Sequence, residues 1–368
     1  MVTLIVCSFV TSLFIALLFI RKVRGYTRIY DHSKPQRFHA GDVPRLGGAG
    51  IFVGMTAAWT VAVFAGTGER ANLNVQISGV FAASWVVVAL PTVLAGFYED
   101  VTQRLSVRYR LLLTAISAAS ACVLLGAAVS RLGVPGLDEL LLMMPWLGVA
   151  LAFLAICGLP HAFNIIDGYN GLAGTVALLV CLAIVHVALQ VGDRQLAAIV
   201  VGLAGATGGF LFWNYPRGLI FAGDGGAYLW GVVIAIASIL LVQRHEQVSP
   251  WFPMLLLIYP VWETIFSIYR KLSRGVSPGV ADALHFHQLI YRRIVRGVFD
   301  DDSARRMLMR NNRTSPYLWS FTILTIVPAL LFWRNTPVLM AFCFLFVVSY
   351  VVVYVAIVRF KVPRWLRR

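Results

Sequence analysis

"VTLIVCSFVTSLFIALLFIRKVRGYTR", residues 2–28, decides what kind of fold this chain adopts. Residues 2–20 carry no charge and reach the roughly 20 apolar positions that a helix needs to cross a bilayer. Arg21, Lys22, Arg24 and Arg28 follow at once. No basic residue precedes the run and no small-residue cleavage site closes it, so it predicts a retained first span rather than a signal peptide.

The same pattern recurs along the chain. Of the 368 residues, 59% are apolar and 13% charged, and the mean hydropathy is +0.79; a soluble domain is about one quarter charged. Apolar runs near 2–20, 47–66, 77–96, 109–129, 146–162, 173–191, 197–213, 226–242, 251–270, 316–334 and 336–358 predict an all-α, polytopic integral membrane helix bundle. The expected count is about eleven transmembrane helices (10 to 11), with residues 1–368 forming a single transmembrane domain. If the N-terminus lies outside, only Arg70, Arg131, Arg194, Arg244 and Arg334 of the 31 Lys and Arg residues fall on outer loops. The positive-inside rule therefore makes the other side cytoplasmic. It also accounts for the formal net charge of +15, which argues against nucleic acid as the partner. The five cysteines sit in apolar runs without a C-x-x-C, which indicates packing rather than disulfides or zinc.

In this topology the unusual polar residues share the cytoplasmic side. They occur in "DHSKPQRFHAGDVPRLGGAG" (31–50), "FYEDVTQRLSVRYR" (97–110), "HAFNIIDGYNGLAG" (161–174), "WNYPRGLIFAGDGGAY" (213–228) and "YRKLSRGVSPGVADALHFHQLIYRRIVR" (269–296). Glu99, Asp100, Asp167 and Asp224 lie at or within a turn of span ends. A carboxylate at a helix centre in the bilayer costs about 2.5 to 3.5 kcal/mol, so such residues point to function. In "FAGDGGAY" a helix beginning near Gly226 would aim backbone N–H groups at an anion while Asp224 held its counter-ion; a simple turn would explain the glycines equally well. Hard oxygen donors without nearby cysteine favour Mg²⁺, or Mn²⁺, over zinc, and Mg²⁺ takes one or two carboxylates together with substrate phosphates. Arg37, Arg45, Arg104, Arg108, Arg274, Arg292 and Arg293 are candidates for phosphate contacts or for interfacial anchors. His285 and His287, two apart after Asp282, suit an extended loop. A zinc pair, phosphate hydrogen-bonding and ordinary loop histidines all remain open there.

The ordered set "RFHAGDVPRLGG", "EDVTQRLSVRYR", "FNIIDGYNGL", "FAGDGGA" and "SPGVADALHFHQL" resembles the polyprenyl-phosphate N-acetylhexosamine-1-phosphate transferases of glycosyltransferase family 4. The peptidoglycan phospho-MurNAc-pentapeptide transferases are their relatives. The resemblance implies transfer of an N-acetylhexosamine 1-phosphate, with GlcNAc or a related N-acetylated 6-deoxy sugar as the hexose, from a UDP-sugar to undecaprenyl phosphate. UMP leaves, and the product begins O-antigen or another surface polysaccharide at the bacterial inner membrane. It further implies catalytic roles for Glu99, Asp100, Asn164 and Asp167, and Mg²⁺ held by Asp224 and Asp167. Substrate contacts are implied at Arg37, His39, Arg45, Arg104, Arg108, Asn170, Arg274, Asp282, His285 and His287. Dimers occur among the relatives, so a homodimer is also implied. Three positions depart from the family pattern. Glu99 replaces the first Asp of a pair, Asn170 stands at the second acidic position of D-G-x-D-G, and Gln288 stands where a further His is common. The rival expectation is a transporter or flippase for a lipid-linked or anionic substrate, which would bind near the midplane between repeated halves. No internal repeat is evident in the sequence.

Overall fold

The computed structural model describes residues 1–22, 43–64, 77–277, 284–295 and 304–359. Among these, every regular element is helical: α1 (Val2–Lys22), α2 (Gly47–Phe64), α3 (Gly79–Thr102), α4 (Val107–Leu124), α5 (Leu137–Met143), α6 (Pro145–Ile166), α7 (Leu172–Gln190), α8 (Arg194–Asn214), α9 (Gly223–Arg244), α10 (Trp251–Leu256), α11 (Ile258–Leu272), α12 (Phe286–Ile290, continued by a π turn to Val295), α13 (Ala304–Leu331) and α14 (Thr336–Val358). Ten of them are long and apolar enough to cross a membrane, so the all-α multi-pass expectation holds.

The run at 251–270 is the exception, because α10 and α11 break at Leu257. Pro260 has no N–H for the Leu256 carbonyl and its ring crowds that group, which is where a proline interrupts a helix. The broken pair still traverses the bundle. Ser249, just before α10, donates its N–H to Trp333 O in the α13–α14 turn (2.9 Å). Further on, Glu263 of α11 bonds His285 (3.0 Å), close to the α6–α7 turn. Counted by path rather than by length, this is an eleventh crossing.

Helix α9 is the axis of the bundle. It is apolar nearly all round, and 94% of its spanning window is buried, against 28% for α1, 22% for α4 and 28% for α14. A helix apolar on every side has either protein or lipid around it. Here α9 has protein, and the outer helices present Phe14, Leu112 and Phe344 outward. Close approach at the start of α9 requires glycine: a Cβ on Gly96 of α3 would overlap the Gly225 backbone, and one on Gly48 of α2 would overlap that of Gly226. The ends of α2 and α3 therefore meet the first turn of α9, where the site lies.

Candidate active site

Asp100, in the last turn of α3, is 1% exposed. Its Oδ1 accepts the Asp224 N–H (2.8 Å) and its Oδ2 accepts the Gly225 N–H (2.9 Å). The first N–H groups of a helix lack internal partners and carry partial positive charge, so a carboxylate is a suitable cap. The expectation of a helix starting near Gly226 and open to a ligand anion is thus corrected: α9 starts at Gly223, and two of its first N–H groups already hold Asp100. Gly223 adopts φ +71°, and a Cβ there would strike both the Asp100 carboxylate and the Arg45 carbonyl.

Arg45 is delivered by a short backbone pairing. Phe221 N–H donates to Pro44 O (2.9 Å), Gly47 N–H to Phe221 O (2.8 Å) and Gly48 N–H to Ala222 O (2.9 Å). The pairing brings the Arg45 charge close enough to act on both Asp100 and Asp167. On the other flank Arg110 of α4 reaches Asp224 Oδ2 through Nη1 (3.2 Å) and Glu99 Oε1 through Nη2 (3.7 Å). The second oxygen of Glu99 accepts the Leu105 N–H (2.8 Å), so Glu99 both shapes the α3–α4 turn and holds Arg110. The added methylene of Glu99 is used within the protein.

Arg110 escaped the sequence reading, which picked Arg104 and Arg108. A signal was present. Thr114, Ser117, Ala118 and Ala121 are the buried stripe of α4, and Arg110 continues that stripe one turn earlier at i−4. Arg104 and Arg108 fall off it and are exposed. Replacing Arg110 by Ala leaves Asp224 without its cation, and we expect affinity for the UDP-sugar that the resemblance implies to fall about tenfold, while Arg104→Ala changes it less than Arg110→Ala does.

Asp167 caps the end of α6 and is half-buried. Neither its carboxylate nor the Asn164 amide one turn earlier has a hydrogen-bond partner among the described residues. Burial pushes the Asp167 carboxyl up to about 7; the Arg45 charge opposes the rise and that of Asp224 adds to it. The three motif carboxylates are therefore in three states: Asp100 is committed to the α9 backbone, Asp224 is paired with Arg110, and Asp167 is uncommitted.

The turn after Asp167 is held from behind. Asn170 is 1% exposed, with its N–H on Asn311 Oδ1 (2.7 Å), its Nδ2 on Asn312 Oδ1 (2.9 Å) and its carbonyl accepting from Ser315 Oγ (2.6 Å), all on α13. Asn214 Oδ1 accepts the Gly171 N–H (2.6 Å). Asn170, expected as a substrate contact, is thus placed in the support of the turn. In front, a Cβ on Gly168 would lie 3.0 Å from His287 Nε2. Tyr169 meets the His287 ring edge-on (5.6 Å) and stacks on Tyr291 (5.4 Å), and Arg292 acts on its hydroxyl. The histidine segment is not wholly extended as expected. His285 is the extended N-cap of α12 and His287 lies within that helix, yet the two rings are parallel within 4° at 5.4 Å.

Arg274 is exposed in the turn that follows α11. Arg37, His39 and Asp282 lie outside the described residues. Missed by sequence were Glu263 and His161. The latter packs edge-on against Tyr228 (5.3 Å) and lies 3.2 Å from Thr114 Oγ1.

No group of three or more His, Cys, Asp and Glu is arranged around a common metal position among the described residues, so the site offers no three-ligand zinc set. Asp167 and Asp224 repel one another electrostatically. That donor set fits Mg²⁺, which takes one or two carboxylates and completes its shell with phosphate and water oxygens.

Residues 82–242, from α3 through α9, match the family model described as glycosyl transferase family 4. This stretch contains Glu99, Asp100, Arg110, Asn164, Asp167 and Asp224. The chain is 27% identical over 287 residues to the probable undecaprenyl-phosphate N-acetylglucosaminyl 1-phosphate transferase of Bacillus subtilis, covering 77% of this chain and 76% of that one. It is 26% identical to the undecaprenyl-phosphate alpha-N-acetylglucosaminyl 1-phosphate transferase of Thermotoga maritima, covering 73% and 75%. Identity is also 26% to the decaprenyl-phosphate N-acetylglucosaminephosphotransferase of Mycolicibacterium smegmatis, covering 70% and 67%. With its motif carboxylates gathered at the start of the central helix, the chain is similar over residues 82–242 to glycosyl transferase family 4, and along most of its length to polyprenyl-phosphate N-acetylglucosaminyl 1-phosphate transferases.

Proposed function

We propose that this protein transfers N-acetylglucosamine 1-phosphate from UDP-N-acetylglucosamine to undecaprenyl phosphate, at the cytoplasmic face of a bacterial inner membrane. The observation that carries the reading is the uncommitted Asp167 beside Asp224, Arg110 and Arg45 at one end of a membrane bundle. One substrate is a lipid whose head sits at the interface and the other a soluble dianion, and this end of the bundle is where both can arrive.

A lipid phosphate oxygen attacks the β-phosphorus, forming a new P–O bond. The bond from that phosphorus to the bridging oxygen breaks, and its electron pair leaves on UMP. The second ionisation of a phosphate monoester lies near pH 6, so much of the acceptor is already dianionic at pH 7 and needs no proton removed. What remains is to hold two repelling phosphates in line. Arg110 and Arg45 supply fixed positive charge, Asp100 fixes the first turn of α9, and Asp167 and Asp224 would hold Mg²⁺. When bound, Mg²⁺ neutralises phosphate charge. His287 and Tyr169 stand where the sugar nucleotide would meet the α6–α7 turn.

Purified protein is expected to release UMP only when given both the lipid phosphate and Mg²⁺. A donor panel including UDP-GalNAc and UDP-linked N-acetylated 6-deoxy sugars identifies the hexose. No release with any donor, from folded protein, contradicts the reading. A pH dependence follows from Asp167. Its carboxylate is the metal-binding form, so with limiting Mg²⁺ activity should rise with pH through about 7. Saturating Mg²⁺, which competes with the proton, should move that limb to lower pH; a limb that ignores the metal concentration assigns the titration elsewhere.

A further inference from the structure

Among the described residues, Glu263 is a fully buried carboxylate that no family motif identified above includes. It is 0% exposed, and both its oxygens are in use. Oε1 lies 3.0 Å from His285 Nδ1 and accepts the Phe286 N–H at 3.1 Å, and Oε2 accepts the Tyr350 hydroxyl at 2.7 Å. Two turns along α11, Arg270 donates to Tyr354 OH (3.0 Å), which in turn donates to Leu284 O (3.2 Å). A polar ladder thus runs between α11 and α14 and ends, at both rungs, on the segment that begins α12. That segment carries His285, whose ring is parallel to that of His287, and it is His287 that stands against Gly168 and Tyr169 beside Asp167.

A buried carboxylate in a lipid-embedded helix is costly and persists where it has a partner and a use. The break at Leu257 gives α11 its own direction and sets Glu263 on the face shared with Ser267 and Arg270. With Nδ1 of His285 donating to Glu263, the tautomer and plane of the ring are fixed, and Nε2 is the atom left for a ligand.

We propose that Glu263 is a positioning residue for the sugar-nucleotide site: through His285 and the Phe286 N–H it fixes the histidine turn against the α6–α7 turn, and Tyr350 holds it in place. The inference rests on the transferase reading given above. The ligand that senses it is the uridine diphosphate portion of the donor, not the lipid phosphate.

The test is a double-mutant cycle in full-length protein, with Glu263→Ala, His285→Ala and the pair. KM is measured separately for UDP-N-acetylglucosamine and for undecaprenyl phosphate, and UDP binding is measured by calorimetry. Loss of one charged hydrogen bond corresponds to about a tenfold effect. Each single variant should raise the donor KM and the UDP Kd by about that factor, the double variant should be no worse than either single, and the lipid KM should stay within about twofold. Glu263→Gln keeps an acceptor toward His285 and should recover most of the donor affinity. It also serves where Glu263→Ala fails to fold. Equal increases in both KM values, additive effects in the cycle, or no recovery by Gln with folded protein would each overturn the positioning role. Wild-type protein that neither binds UDP nor releases UMP refutes the transferase reading itself, and the proposal with it.

Discussion

Asp167→Asn is expected to lower transfer by about 10² to 10³-fold, the range found when a preorganised electrostatic group is removed from a transition state, while the protein stays as stable as before or gains slightly. Both halves follow from the same observation. The carboxylate has no hydrogen bond within the described residues, so its loss breaks nothing in the fold. Its charge is opposed by burial and by Asp224, so a neutral amide relieves both. Turnover of the purified variant, with its melting temperature in detergent, checks the pair of outcomes. A variant that melts early and loses activity in proportion would make Asp167 a structural residue.

Asp100→Asn should do the reverse in kind. Asn offers one acceptor in place of two and sets an NH₂ against an N–H of α9, leaving a buried helix-terminal donor unsatisfied. Hydrogen bonds to charged groups contribute about 1.5 to 3 kcal/mol each, so the loss of stability should be about 2 to 3 kcal/mol, seen as a lower melting temperature before any substrate is added. Activity should fall with it, because Asp224 occupies the turn that Asp100 fixes. Normal melting with complete loss of turnover would instead place Asp100 among the groups that touch substrate.

These two residues also mark the limit of what the sequence discloses. The membrane class, the span count and the gathering of carboxylates at span ends were legible because a twenty-residue apolar run and a charge beside it leave few alternatives. The division of labour among Asp100, Asp167 and Asp224 was not, since it depends on which carboxylate meets the first N–H groups of α9, a contact between residues 124 apart. Arg110 was recoverable from the phase of α4. Glu263 was visible as a lone acid within an apolar run, but its partners His285 and Tyr350 lie 22 and 87 positions away. The α10–α11 break was signalled by Pro253 and Pro260 and was read as one span because the run's length alone sufficed. Nothing in the sequence separated Asn170 as a support from Asn170 as a contact, since an amide at a turn serves either end.

The most direct measurement is the fate of the β-phosphorus. With UDP-N-acetylglucosamine labelled at that atom, undecaprenyl phosphate and Mg²⁺, the account predicts that the label moves quantitatively into the lipid fraction and that the released nucleotide is unlabelled UMP. Label retained in a soluble UDP product would mean that the sugar alone is transferred, and would contradict attack at phosphorus and the roles given to Asp167, Asp224 and Arg110.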